Sequence, residues 1–371
     1  MNGIRHKDHF HGSDLEKIEE IYGIKKEDIV SFAANVNPLG ISPKLKTELS
    51  DHIDVISNYP DREYKRLRES IAAYAGCRSD QIIVGNGSTE LISLFIQITN
   101  PKNACILGPT YSEYEREISL IGGHTRYYPL KAERNFRLEL EDFLPRLTDN
   151  IDLLVICNPN NPTGTYIRRG EMRRILDVCM EHGIYVMVDE TYVEFVSDID
   201  EVTAVPLTSY YNNIIILRGT SKFFAAPGLR LGYAITGNQD LISNISKFKN
   251  PWMINSLAET AGIIMFSDTE YIEKTRSLIA SEKKRMFEVL ESDGRYTPYP
   301  SGANFILVRI NAGSCDATGQ PLTAGYLFDK AIRQGLMIRD CSTFPFLDDS
   351  YFRFCVMKPE DNDRLLEVLL K

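Results

Sequence analysis

From Gln81 onward the chain alternates short strand-like runs, most of them rich in Val, Ile, Leu or Cys, with stretches of helical spacing. The runs fall at 81–84, 104–107, 125–129, 152–157, 184–188, 213–218 and 231–236. Strands that read this apolar along their length are buried on both faces, which a parallel sheet achieves by returning through covering helices. The expectation is an α/β fold: a mostly parallel seven-stranded sheet with helices on both faces, closed by Gly232-Tyr-Ala-Ile-Thr.

The flanking regions read differently. Residues 1–14 have no periodicity and suggest an irregular arm, and 15–23 suit a short amphipathic helix stopped by a glycine. Asn35 to Gly40 is turn-rich. Helices are expected near 42–52 and 63–76, and a long helical region from about Pro251 to Leu290. Beyond it, strand-like 303–310, 336–339 and 351–356 with helices near 323–334 and 360–370 predict a smaller α+β unit. The expected division is an arm and small-domain segment at 1–40, a large domain at 41–260 and a small C-terminal domain at 261–371. Gly313 to Pro321 reads as a polar loop, and no internal repeat or low-complexity tract interrupts the chain.

With 371 residues, 43% of them hydrophobic and 25% charged, the chain has globular proportions and room for two cores. A formal net charge of −9 argues against a nucleic-acid surface, which needs clustered cations in excess. Any anionic ligand must therefore be held by local groups. The seven cysteines form no CxxC pair and read as reduced core thiols, and no metal site is expected. No charged leader with an apolar stretch opens the chain and no run is long enough to span a bilayer, so residence in the cytoplasm is expected.

Three segments carry chemistry: Asn-Pro-Asn-Asn-Pro-Thr-Gly at 158–164, Val-Asp-Glu-Thr-Tyr at 188–192, and Arg-Gly-Thr-Ser-Lys-Phe-Phe-Ala-Ala-Pro-Gly-Leu-Arg-Leu-Gly-Tyr at 218–233. Read singly, each has an ordinary explanation. Lys222 could be a solvated lysine after a strand, Asp189 a helix cap, and the Asn-Pro and Thr-Gly pairs plain turns. Gly-Asn-Gly-Ser-Thr-Glu at 85–90 could be one more glycine-rich turn into a helix. Together they resemble fold-type I pyridoxal phosphate enzymes of the class I/II aminotransferase superfamily, over nearly the whole chain.

That resemblance implies a set of roles. Lys222 supplies the amine that condenses with the cofactor aldehyde, and Asp189 keeps the pyridine nitrogen protonated so that the ring draws electrons from the substrate Cα. Tyr192 and Asn161 donate to the ring oxygen, and Tyr111 stacks on the ring. Gly87, Ser88 and Thr89 offer the phosphate their amides and a positive helix end, joined by Ser221 and Arg230. Gly219 stands where the family usually has serine or threonine, so that hydroxyl contact is missing or comes from water or Thr220. Tyr59, in Asn-Tyr-Pro-Asp, matches a tyrosine that reaches the partner's cofactor, which implies a homodimer with shared sites.

Arg353 matches the family arginine that grips a substrate carboxylate, and Arg339 one that binds a substrate phosphate, a task suited to a planar guanidinium. A solvated edge-strand arginine is the alternative for each. Two subfamilies carry both: histidinol-phosphate aminotransferase and threonine-phosphate decarboxylase. His11-Gly-Ser-Asp, Phe32-Ala-Ala-Asn-Val-Asn-Pro-Leu-Gly and Pro251-Trp-Met-Ile-Asn look like the decarboxylase, with Ser13 replacing a glycine. The expected substrate is then a phosphorylated amino acid, its phosphate held by Arg339 with His11 and Asn35 and its carboxylate by Arg353 and Asn161. His11 could instead be a surface histidine. The alternatives are amino transfer to 2-oxoglutarate and a regulator that binds the cofactor without turnover, the latter disfavoured by the lack of a basic recognition helix.

Overall fold

The computed structural model describes residue 12 and residues 14–371. Thirteen strands are present among them: β1 (Val30–Ser31), β2 (Ile82–Asn86), β3 (Asn103–Gly108), β4 (His124–Pro129), β5 (Leu153–Cys157), β6 (Tyr185–Asp189), β7 (Ile214–Gly219), β8 (Leu231–Ile235), β9 (Tyr296–Pro298), β10 (Phe305–Ile310), β11 (Leu336–Met337), β12 (Arg339–Asp340) and β13 (Tyr351–Cys355). The large sheet has the order β2-β8-β7-β6-β5-β3-β4. All its pairings are parallel except those made by β8, which runs against both β2 and β7.

The strand period explains why both faces must be covered. Leu154 and Ile156 of β5 enter one apolar cluster, while Leu153, Val155 and Cys157 enter the other. The same split recurs in β7, where Ile214 and Ile216 oppose Ile215 and Leu217. Helices Ser88–Thr99 and Glu113–Leu120 cover one face and Arg169–Glu181 the other. Each of the seven expected strands forms at the expected place.

The second sheet is antiparallel, in the order β12-β13-β10-β9. Here the structure corrects two readings. The run expected as one strand at 336–339 is split at Ile338: β11 pairs in parallel with β1, whereas β12 joins β13. The helical region expected from 251 to 290 is two helices, Ser256–Phe266 and Thr269–Ser292, because the Asp268 carboxylate caps the second by accepting from the Tyr271 amide. Among the described residues no helix is long and apolar enough to cross a membrane.

Candidate functional site

The carboxyl ends of β5, β6 and β7 converge with the β2 turn, the place where open parallel sheets leave room for ligands. Two consecutive acids end β6, and the strand's alternation sends them apart. Glu190 is fully buried and neutralised by Arg218, whose Nη2 lies 2.7 Å from Oε2. The Ala204 amide and the Thr203 hydroxyl complete that carboxylate's bonds. Asp189 instead accepts from the Tyr114 hydroxyl at 2.6 Å and from the amide and hydroxyl of Thr191, at 2.9 and 2.6 Å. Three neutral donors hold the Asp189 carboxylate in one orientation without cancelling its charge, as a group that must pair with an incoming cation requires.

Lys222 lies three residues beyond β7, and its Nζ donates to the Ala34 carbonyl at 2.6 Å. Burial first, and then the positive charges of Arg353 and Arg230, pull its amine down to about 8. The N-terminal segment fixes this turn. The Asn37 amide donates to the Lys222 carbonyl at 3.0 Å, while Asn37 Nδ2 donates to Phe223 O at 2.8 Å and reaches Tyr271 and Thr275. Asn35 takes a left-handed conformation, φ 56°, which asparagine tolerates better than most residues. It donates from Nδ2 to the Tyr192 hydroxyl at 3.1 Å, leaving its own buried Oδ1 without a partner.

The turn after β2 is bare of side chains. Gly87 precedes helix Ser88–Thr99 at φ 80°, with no side chain capping the helix. A Cβ on Gly87 would lie 2.3 Å from Nη2 of Arg230, and one on Gly232 would lie 2.4 Å from the Ser88 amide nitrogen. The backbone contact requires glycine at 232 and the left-handed φ favours it at 87, and the guanidinium of Arg230 sits directly over the helix start. The Gly87 amide donates to Gly85 O at 2.9 Å, so it is the amides of the helix's first turn, with the helix dipole and the guanidinium, that form a cradle for a dianion. At Gly219 an added Cβ would make only ordinary contacts, 3.5 Å to Leu231 O and 3.8 Å to Ser88 Oγ. Nothing steric therefore accounts for the absence of a side chain there.

Arg339 and Arg353 are direct cross-strand partners on β12 and β13. Like charges placed so are unfavourable unless an anion joins them. Arg353 is 4% exposed; its Nη2 donates to Ala33 O at 2.8 Å, its Nη1 donates to Asn161 Oδ1, and its Nε has no partner. Arg339 donates to Thr343 Oγ1 at 3.2 Å and lies over the Phe344 ring; burial, and then the charge of Arg353, lower its pKa. Tyr111 is half-buried with its ring edge-on to Tyr114; burial pushes its hydroxyl up to about 12, and Asp189 and Arg230 are both near enough to act on it.

The residues expected from sequence thus fall into one region, with qualifications. Ser221 and Thr89 occupy the Lys222 turn and the first turn of helix Ser88–Thr99. Asn35 bonds Tyr192 rather than Arg339. Tyr59 is 80% exposed, packed on Trp252 with ring centroids 4.9 Å apart, on the outer surface of this chain. His11 lies outside the described residues, though Gly12 abuts the Ala33 carbonyl so closely that a Cβ there would lie 2.3 Å from its oxygen. Sequence reasoning missed Tyr114 and the carbonyls of Ala33 and Ala34. Tyr114 lies in the first turn of helix Glu113–Leu120, three residues after Tyr111, and that short spacing is the signal that could have found it. Among the described residues no group of His, Cys, Asp and Glu could hold a metal.

Residues 27–369 match the family described as aminotransferase class I and II. A candidate threonine-phosphate decarboxylase of Caldanaerobacter subterraneus subsp. tengcongensis is 38% identical, over 91% of this chain and 88% of the relative. A histidinol-phosphate aminotransferase of Methanosphaera stadtmanae is 32% identical, over 98% and 96%. Among solved structures, the histidinol-phosphate aminotransferase of Clostridium acetobutylicum superposes with a TM-score of 0.83 at 33% identity, covering 91% of this chain and 97% of that one. The histidinol-phosphate aminotransferase of Sinorhizobium meliloti, solved in complex with pyridoxal-5'-phosphate, shares the fold with a TM-score of 0.81 at 22% identity, over 95% and 92%. Match length, shared architecture and the converging site agree that this chain belongs to the class I and II aminotransferase family.

Proposed function

We propose that the protein is a pyridoxal 5'-phosphate enzyme that decarboxylates L-threonine O-3-phosphate to (R)-1-aminopropan-2-yl phosphate, the reaction named for its 38% identical relative. The observation that carries the reading is the pair Arg339 and Arg353 facing each other across β12 and β13, which suits a substrate with two anionic groups. When bound, the cofactor supplies an electron sink for the pair left when the bond from Cα to the carboxylate breaks. The fit of this chain to it rests on the Gly87 and Arg230 cradle, the fixed Asp189 carboxylate and the depressed Lys222 amine.

The side chains then divide the work. Asp189 holds a proton on the pyridine nitrogen, with Tyr114 and Thr191 keeping its oxygens aimed. Arg353 and Asn161 grip the substrate carboxylate, and Arg339 takes the phosphate. Fixing both ends of the substrate would select which bond at Cα is presented for breaking. Lys222 delivers a proton to Cα after carbon dioxide departs. Tyr59, exposed here, serves the site of a second copy in a homodimer.

Amino transfer from histidinol phosphate is the second reading, favoured by the 33% identical Clostridium structure. Incubating the loaded enzyme with threonine phosphate, and separately with histidinol phosphate plus 2-oxoglutarate, separates them: carbon dioxide from the first mixture is the expected result, and glutamate from the second without gas from the first would select amino transfer. The Lys222 amine adds a pH prediction. Only its neutral form attacks an aldehyde, so uptake of pyridoxal phosphate by cofactor-free protein accelerates as pH rises through about 8 and levels off above it. Stopped-flow absorbance checks this; a midpoint at the ordinary lysine value would refute it.

A further inference from the structure

The loop joining the two arginine strands, residues 341–350, reaches the large sheet through Phe346. This residue combines two unusual features. Its φ is 67°, a left-handed conformation that costs an aromatic residue energy and persists only where surroundings impose it. Its side chain is also 57% exposed, so burial of the ring does not account for that strain. What the ring does is lie edge-on to Tyr127 of β4, with centroids 5.9 Å apart and planes at 82°. It also covers Gly108, where an added Cβ would lie 3.2 Å from Phe346 Cε2.

Both ends of this contact lead into the site. On the loop side, Thr343 and Phe344 hold the guanidinium of Arg339. On the sheet side, Gly108 begins the turn that carries Tyr111, and the Tyr127 hydroxyl donates to Glu115 at 2.9 Å. Glu115 is in helix Glu113–Leu120, next to Tyr114, whose hydroxyl fixes Asp189. The rest of the loop is tied down within the small sheet: the Ser342 amide donates to Asp340 Oδ1 at 2.8 Å, Asp348 Oδ1 accepts from the Ser350 amide at 2.9 Å, and the Ala324 amide donates to Asp349 O at 2.7 Å.

We propose that Phe346 is a positioning residue: by docking on Gly108 and Tyr127 it sets the Arg339 anion subsite in register with the Tyr111–Tyr114 segment behind the cofactor ring. An anion seated between the arginines orders the loop, and the docked ring carries that order to residues 108–115. A site held in this register binds its substrate without first having to order the loop. The inference rests on the reading of Arg339 and Arg353 as the substrate's anion site.

Hydrogen exchange on the full chain loaded with cofactor, so that the cradle at Gly87 and Arg230 is already filled, with and without inorganic phosphate as the probe, tests it. In the unsubstituted protein phosphate is expected to slow exchange in both 340–350 and 108–115. In Phe346→Ala, a change at an exposed position, 340–350 stays protected while the effect on 108–115 disappears, and Phe346→Tyr restores it. Turnover by the loaded Phe346→Ala enzyme should show KM raised about fivefold with kcat within about twofold, the scale of one lost aromatic pair. Phosphate protection of 108–115 that survives unchanged in Phe346→Ala would overturn the proposal. Phosphate that slows neither segment in the unsubstituted protein would overturn the anion-site reading as well, which tells the two failures apart.

Discussion

Lys222→Ala is expected to lower turnover of the amino-acid substrate by at least about 10³-fold, because in the proposed mechanism one side chain both anchors the cofactor and moves the proton at Cα. No nearby group takes over. The other half-buried lysines with comparably depressed amines, Lys249 and Lys283, are committed elsewhere, donating to Val84 O and Ala303 O at 2.7 Å each. The check is single-turnover product formation, with circular dichroism showing an intact fold. Lys222 is half-buried and its amine bonds a backbone carbonyl, so the substitution removes the amine with little other rearrangement. Turnover near the unsubstituted rate would dismantle the functional reading.

Asp189→Asn is the next largest. The amide matches the carboxylate in shape: its oxygen still accepts from Thr191 while its NH2 faces the Tyr114 hydroxyl, which accepts in place of donating, so the geometry survives while the charge is lost. A preorganised charge facing a developing one typically contributes about 10²–10³ in kcat, and that is the expected loss. Substrate affinity should change far less, since Arg339 and Arg353 are untouched. Steady-state kinetics across the pair of variants would show it; a KM effect with unchanged kcat would mean that Asp189 serves the structure instead.

The large sheet was readable in the sequence because its strands are buried on both faces: Leu153–Cys157 and Ile214–Gly219 are continuously buried and bounded by turns. The small sheet was readable only where it is equally buried, in β10 and β13. Strand β9 escaped notice because it is three residues long and ends in Pro298 at the sheet edge. The division of 336–340 between two sheets leaves no periodic trace, since two residues cannot display an alternation. In the site, side chains inside contiguous motifs were legible. Contacts made by backbone, such as Ala33 and Ala34, were not, because a carbonyl has no identity in a sequence. The order of Asp189 and Glu190 became interpretable only once Arg218 was seen to consume one of the two charges.

The segment around residues 33–37 has a bearing on how the molecule comes into being. Ala34 waits for a partner 188 residues downstream, and Ala33 for one 320 residues downstream. Contacts so distant along the chain form slowly, since the intervening loop must close before any bond rewards it. On the ribosome, the large sheet can collapse as its strands emerge, while the stretch that completes the pocket is not fully paired until β13 has been made, since Ala33 waits for Arg353. Competence to take up the vitamin is therefore a property of the finished polypeptide, acquired in the last step of its maturation.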